Sequence, residues 1–168
     1  MPDRNAAART RVVSWTDARL VAEAARTMAG IDFLRAMLAG QVSKPPIAET
    51  LGFDLARVEP GVAVFTCTPG EEHYNPIGVV HGGLVSTLID SATGCAVHTT
   101  LPEGVGYTTI SLSVHLLRPL TDESGPVRCV GQVVHRGGRV AIAEGEVVGD
   151  RDGKVYARGR TVCLILQP

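Results

Sequence analysis

A chain of 168 residues is long enough for one domain with a hydrophobic core, and its 45% hydrophobic and 20% charged residues argue against disorder. The net charge of −1 gives no electrostatic basis for binding nucleic acids or anionic membranes, and 4% aromatic residues provide few stacking platforms for bases. Four cysteines without CxxC spacing predict reduced core thiols and no metal site. Because the chain has no membrane-spanning run and no secretory signal, we expect a cytoplasmic protein.

The first 44 residues are predicted to form a helical extension. The expected segments are a frayed stretch over residues 1–14, a helix from Thr16 or Asp17 to Gly30, and a short helix over residues 31–40. Pro45 and Pro46 then break helicity, because proline lacks the backbone N–H that a helix interior needs. The sequence therefore predicts two parts, the extension over residues 1–44 and a main domain over residues 45–168.

The main domain has the periodicity and turn residues of a sheet, interrupted once by a helix. The predicted order is two strands (51–58 and 62–68), one helix (Gly82–His98) and four strands (107–117, 127–135, 139–148 and 155–166). In the strand after the helix, Ile110, Leu112, Val114 and Leu116 alternate with Thr109, Ser111, Ser113 and His115, which predicts one apolar and one polar face. A helix with so little charge must be covered on most sides, so we expect an α+β fold in which an antiparallel sheet curls around it.

Asp90 is the only residue among Asp, Glu, Lys and Arg between Gly82 and Pro102. A carboxylate in apolar surroundings is costly unless it is hydrogen-bonded, protonated or used in chemistry. A helical wheel puts Asp90 on a narrow stripe with Ser86, Thr93, Gly94 and Val97, opposite a face formed by Leu84, Leu88, Ala92 and Cys95. This pattern is consistent with a structural carboxylate held by nearby hydroxyls and equally with a functional one.

The residues just before this helix give the carboxylate a possible partner. Gly82 and Gly83 leave backbone N–H groups free at a helix N-terminus, where they can stabilise a developing negative charge. Taken alone, His81 is typical of a capping or core histidine, and the glycine pair is typical of a tight turn. Together with Asp90 they form a minimal acyl-transfer site.

The spacing of these groups predicts a dimer. Eight residues separate Gly82 from Asp90, which corresponds to about 12 Å of helix. A base or nucleophile and the donors to the carbonyl oxygen must all lie within about 3–3.5 Å of the same reacting group. We therefore expect Asp90 of one subunit to face the Gly82 N–H and Asn75 of a second subunit across a twofold axis.

The motif Asn75–Gly83, with Asp90 nine residues after His81, resembles the hot-dog-fold acyl-CoA thioesterases of the phenylacetate-degradation (PaaI-like) type. The similarity continues through Gly106–Leu112, Leu117–Pro119 and His135–Arg139, and it covers roughly residues 45–166. It implies hydrolysis of an acyl-CoA by a homodimer or a dimer of dimers. It implies no metal and no cofactor besides the coenzyme A of the substrate.

The resemblance also implies roles for individual residues. Asp90 would be the nucleophile or general base, and Gly82 would supply the N–H that polarises the thioester carbonyl. Asn75 would hold the carbonyl or the water, and His81 would help to shape the loop. Thr109 would supply the hydroxyl that helps to place the water, with Thr108 as its nearest competitor. Phosphate contacts with coenzyme A are expected from Arg118, Arg136 and Arg139, with Gly137 allowing close backbone approach.

Several alternatives stay open from the sequence. Glu71, Glu72 and His73 form a second acid–base cluster that is more typical of a solvated turn but could rim a site. His115 is expected at an interface or on the surface. The same fold could serve an enoyl-thioester hydratase, or it could bind acyl-CoA without catalysis.

Overall fold

The computed structural model describes residues 7–167, so residues 1–6 of the predicted frayed stretch lie outside the described residues. The two predicted helices of the extension are confirmed as α1 (Ala18–Arg26) and α2 (Gly30–Leu38). Helix α1 begins after Asp17, whose carboxylate accepts a hydrogen bond from the Arg19 N–H at 2.9 Å. This contact satisfies one of the unpaired N–H groups of the first turn.

A short helix, α3 (Pro46–Leu51), lies where we expected the break and the beginning of a strand. Pro46 is its first residue. An N–H at this position would have no acceptor within the helix, so a proline there costs no hydrogen bond. The helix ends at Gly52, which adopts a left-handed conformation with φ +68°. As a result, β1 begins at Phe53, two residues later than predicted.

The remaining elements confirm the predicted α+β architecture. They are β1 (Phe53–Glu59), β2 (Val62–Cys67), α4 (Gly82–His98), β3 (Gly106–Leu116), β4 (Val127–Arg136), β5 (Val140–Gly149) and β6 (Val155–Leu166). The strands form one antiparallel sheet in the order β1-β2-β4-β5-β6-β3, and α4 packs against its inner face. Between residues 7 and 167, none of the helices is long and apolar enough to cross a membrane.

A row of three glycines lets α4 lie directly on the sheet. Gly131 of β4 is opposite Gly145 of β5, which is opposite Gly159 of β6. A Cβ atom at Gly131 would lie 2.3 Å from the backbone carbonyl carbon and oxygen of Ala92 in the helix. Because a backbone contact cannot be relieved by a side-chain rotation, the helix position depends on this glycine.

Substitution of Gly131 by alanine should therefore destabilise the fold. The added methyl group forces α4 away from the sheet, and overpacking of this kind costs about 2–3 kcal/mol of unfolding free energy, or about 5–10 °C in Tm. Calorimetry measures the loss, with Gly138→Ala as a matched control, since a Cβ there meets nothing within 4 Å. Equal melting temperatures for the two variants would contradict this account of the helix position.

The predicted polar stripe of α4 is only partly correct. Thr93, Gly94 and Val97 are buried, whereas Ser86 and Asp90 stay partly accessible. The Thr93 hydroxyl donates to the carbonyl oxygen of Ile89 at 2.7 Å and is hydrogen-bonded to Thr161 at 2.5 Å. The sheet thus covers the second half of the stripe, and only the half that contains Asp90 stays open.

The extension packs against the far end of the same helix. Val21, Phe33 and Leu34 are buried together with Val58 of β1. The Phe33 ring lies 5.4 Å from the His98 ring, centroid to centroid, at the C-terminal end of α4. The extension therefore shares a core with the main domain and is not a separate layer, and the division after residue 44 stays a prediction.

Candidate active site at the ends of helix α4

The N-terminus of α4 is fixed by His81. Its Nδ1 accepts a hydrogen bond from the Gly83 N–H at 2.8 Å, and its own backbone N–H donates to the carbonyl oxygen of His73 at 2.8 Å. The predicted capping role of His81 is thus seen directly. The Gly82 N–H has no intrahelical acceptor, and we find no other acceptor for it within residues 7–167. It is free to bind a ligand.

Asn75 shapes the loop in front of this N-terminus. Its side-chain oxygen accepts hydrogen bonds from the N–H groups of Ile77 at 3.1 Å and Val79 at 3.4 Å. Since the oxygen is occupied by the loop, the amide NH2 is the group left to donate to a ligand. Asn75 and Gly82 line one cavity of about 300 Å³. The two residues predicted to hold a carbonyl oxygen therefore line the same space.

Asp90 lies two turns further along the helix and is held from β3. The Thr109 hydroxyl donates to its Oδ1 at 2.9 Å. Thr109 is partly buried and pairs with Cys163 of β6, whereas Thr108 is exposed. The structure thus puts Thr109, and not Thr108, beside the carboxylate. Oδ2 of Asp90 makes no hydrogen bond with the described residues, so it can accept a proton or attack a carbon.

One chain does not bring all these groups to one point. The cavity that contains Asn75 and Gly82 is lined by neither Asp90 nor Thr109. Eight helical residues separate Asp90 from Gly82, about 12 Å along the axis. Within one chain, Asp90 and the Gly82 N–H are therefore too far apart to contact one carbonyl group.

Comparison with known proteins identifies the family of this chain. Residues 77–156, which contain α4 and Asp90, match the family described as the thioesterase superfamily. A Saccharolobus solfataricus protein with an esterase name is 31% identical over 67% of this chain and 77% of its own length. The chain belongs to the thioesterase superfamily.

Further relatives specify the type of member. The acyl-coenzyme A thioesterase 13 of Homo sapiens is 26% identical over 63% of the chain and 74% of its own length. A phenylacetic acid degradation-related protein of Ralstonia eutropha is 29% identical in a solved structure that covers 78% of this chain and 98% of that one, with a TM-score of 0.70. The resemblance to PaaI-like proteins and the hot-dog fold are thereby confirmed, and the chain is a thioester hydrolase by family.

Sequence identity to another relative is higher over a shorter segment. A Halobacterium salinarum protein with an esterase name is 42% identical over 50% of this chain. The chain spans about half of that protein's length, 51%.

The residues predicted to bind coenzyme A phosphates do not converge within one chain of this thioesterase. Arg118 lines the cavity at Gly82 and lies beside the beginning of β6, where its guanidinium donates to the Val155 carbonyl. Arg136, Gly137 and Arg139 form the β4–β5 hairpin beside the opposite end of β6, since Val140 pairs with Leu164. On β6, Ala157 marks the end near Arg118 and Leu164 marks the end near the hairpin. These two positions are seven residues apart, which corresponds to about 23 Å along the strand. A common phosphate site would need a second chain.

The second acid–base cluster is occupied by structural contacts. His73 is buried; its Nδ1 accepts from the Gly70 N–H and its Nε2 donates to the Leu51 carbonyl, both at 3.0 Å. Glu71 pairs with Arg9, and Glu72 lies 3.8 Å from Arg11. His73 therefore has no free nitrogen for catalysis, and the two glutamates are half-exposed members of ion pairs.

The predicted faces of β3 are wrong in one respect that matters for the site. A bulge between Thr109 and Ser111 interrupts the alternation, and the apolar side chains are exposed: Ile110 by 57% and Leu116 by 57%. Leu116 lies over the start of α4, because a Cβ at Gly82 would be 2.8 Å from its Cδ1. The sequence pattern placed Leu116 only on the apolar face of the strand and therefore missed it as a site residue.

Proposed function

We propose that this protein hydrolyses an acyl-CoA to a free carboxylic acid and coenzyme A. The observation that carries this proposal is the Asp90 carboxylate, held by Thr109 at 2.9 Å in a partly open position on the central helix. Water adds to the thioester carbonyl carbon, the C–S bond breaks, and the thiolate of coenzyme A takes up a proton. Asp90 serves either as the base that removes a proton from this water, or as a nucleophile that first displaces the thiolate to form an anhydride, which water then hydrolyses to the acid and free Asp90.

The oxygen of the thioester carbonyl becomes negative as the bond to the attacking group forms. In this proposal the Gly82 N–H and the Asn75 NH2 donate to it. Gly82 begins a helix of 17 residues, whose dipole adds partial positive charge at that end. Donors fixed in this way stabilise the transition state without having to reorganise during the reaction.

The proposal requires a homodimer, and β3 is the surface that forms it. This strand is an edge strand with β6 on one side only, and its 11 residues leave a row of unpaired N–H and C=O groups. Exposed Ile110 and Leu116 lie on the same strand. A natural protein rarely leaves so long an apolar edge open, so we propose that a second copy pairs with it in antiparallel fashion.

Antiparallel pairing also completes the site. A twofold axis near Leu112 and Ser113 would put Thr109 of one subunit opposite Leu116 of the other. Because Thr109 holds Asp90 and Leu116 covers Gly82, the two half-sites would meet. The same operation would bring Arg118 of the partner subunit towards the hairpin that contains Arg136 and Arg139, where coenzyme A phosphates would bind.

Thiol release from a panel of short, medium, long and aromatic acyl-CoAs tests the proposed reaction. We expect the purified protein to release free thiol and carboxylic acid in equal amounts. Loss of enoyl-CoA absorbance without thiol release would instead identify a hydratase. Tight binding of the esters with no turnover would identify a non-catalytic binding protein.

A further inference from the structure

A tyrosine closes the open stripe of α4 one turn beyond Asp90. Tyr107 lies two residues before Thr109 on β3, so both side chains point to the helix. A Cβ at Gly94 would lie only 2.9 Å from the Tyr107 hydroxyl oxygen and 3.1 Å from its ring. The phenol thus rests on the helix backbone, in volume that any other residue at position 94 would occupy.

Aromatic packing holds the Tyr107 ring in this position. Its centroid lies 5.5 Å from that of His98, which in turn lies 5.4 Å from Phe33 of the extension. His98 and Phe33 are both buried. The three rings form a continuous wall at the C-terminal end of α4, and Tyr107 is the member next to the carboxylate.

Accessibility along the helix shows where the wall begins. Ser86 and Asp90 are partly accessible, whereas Gly94 and His98, which continue the same face, are buried. Asp90 and Gly94 are one helical turn apart, about 5.4 Å. A group that extends from a carbonyl at Asp90 towards the C-terminal end of α4 therefore meets the phenol after about one turn.

The Tyr107 hydroxyl lies against the helix backbone at Gly94. It makes no hydrogen bond with any described residue, although every fully buried side-chain polar atom in that part of the chain has a partner. The side chain is only partly buried, so its hydroxyl still reaches solvent. Burial raises the pKa of this phenol well above its ordinary value, so it stays neutral. A neutral ring with an accessible tip is a suitable end wall for an apolar pocket.

We propose that Tyr107 sets the acyl-chain length accepted by this thioesterase: the acyl group lies along α4 from Asp90 towards Gly94, and the phenol ends its pocket. The accepted acyl groups are then short chains or a single aromatic ring. This inference rests on the proposed function and deepens it. Because the His98 ring lies next to the phenol, removal of the phenol would extend the pocket as far as His98.

The test compares hydrolysis of acetyl-, hexanoyl-, decanoyl- and phenylacetyl-CoA by the full-length wild type and by variants at position 107. Tyr107→Ala should raise the ratio of kcat/KM for decanoyl-CoA over hexanoyl-CoA by about tenfold or more, because each methylene accommodated in an apolar pocket changes kcat/KM by about that factor. Tyr107→Phe keeps the ring and should keep the wild-type ratio. Gly94→Ala, which pushes the phenol into the pocket, should lower the hexanoyl-to-acetyl ratio.

The length ratio separates a specificity role from a loss of folding. A destabilised variant loses activity on all esters alike, whereas a change in specificity alters the length ratio. If Tyr107→Ala does not fold, the test is repeated with Tyr107→Val, which keeps an apolar side chain. An unchanged length ratio in Tyr107→Ala and Tyr107→Val, with an active wild type, would overturn the assignment of Tyr107. Absence of thiol release from every ester by the wild type would instead refute the proposed hydrolysis.

Discussion

Replacement of Asp90 by asparagine is expected to lower kcat for acyl-CoA hydrolysis by about 100- to 10,000-fold, the range that a general base contributes. Asparagine has the same shape, and its side-chain oxygen can still accept the hydrogen bond that Thr109 donates to Oδ1. The substitution replaces the second, negatively charged oxygen with a neutral NH2 group. This group can neither remove a proton nor attack a carbon. Thiol release at saturating substrate measures the effect.

The matched control is Asp32→Asn. Asp32 is an exposed carboxylate on α2, paired with Arg35 at 4.0 Å, and its helix meets α4 near His98, about two turns beyond Asp90. We expect this variant to keep the wild-type rate. Thermal unfolding of both variants checks that neither has lost its fold. If Asp90→Asn retained full turnover across the acyl-CoA panel while folded, the catalytic role assigned to this carboxylate would be wrong.

Much of the fold could be predicted because local signals agreed with the tertiary structure. Helix α4 has the predicted bounds, Gly82–His98, since a capping histidine, a glycine pair and an almost uncharged segment define its length. The six strands occur in the predicted order because their turns carry glycine and proline. Helix α3 was missed because a proline that ends one helix can also begin another, and this choice depends on the packing of residues 46–51.

The candidate site could be predicted only in part. The helical wheel identified the stripe of Asp90, but it could not show that the sheet covers Thr93 and Gly94. Strand register is also invisible in the sequence, and it separates Arg118 from the hairpin of Arg136. Residues far apart along a strand can be joined by a second subunit. For this reason the contacts between half-sites are best tested with mixed dimers.

A mixed dimer of an Asp90→Asn subunit and an Asn75→Asp subunit is expected to keep about half of the wild-type kcat per dimer, although each homodimer is nearly inactive. Asn75→Asp keeps the acceptor oxygen for the Ile77 and Val79 N–H groups but replaces the donating NH2 with a second oxygen that repels the oxyanion. Loss of one such donor costs about 100- to 1,000-fold in kcat. If each site combines Asp90 of one subunit with Asn75 of the other, the mixed dimer has one fully altered and one intact site.

The control contains the same substitutions in a different arrangement. A wild-type subunit paired with an Asp90→Asn, Asn75→Asp double variant has one altered residue in each shared site, so we expect it to be nearly inactive. If Asp90 and Asn75 of the same chain served one thioester, the two results would be exchanged: the first mixed dimer would be inactive and the second would keep half of the activity. Two affinity tags isolate each mixed dimer. Because about 12 Å of helix separates Asp90 from the Gly82 N–H within one chain, the structure favours the first outcome.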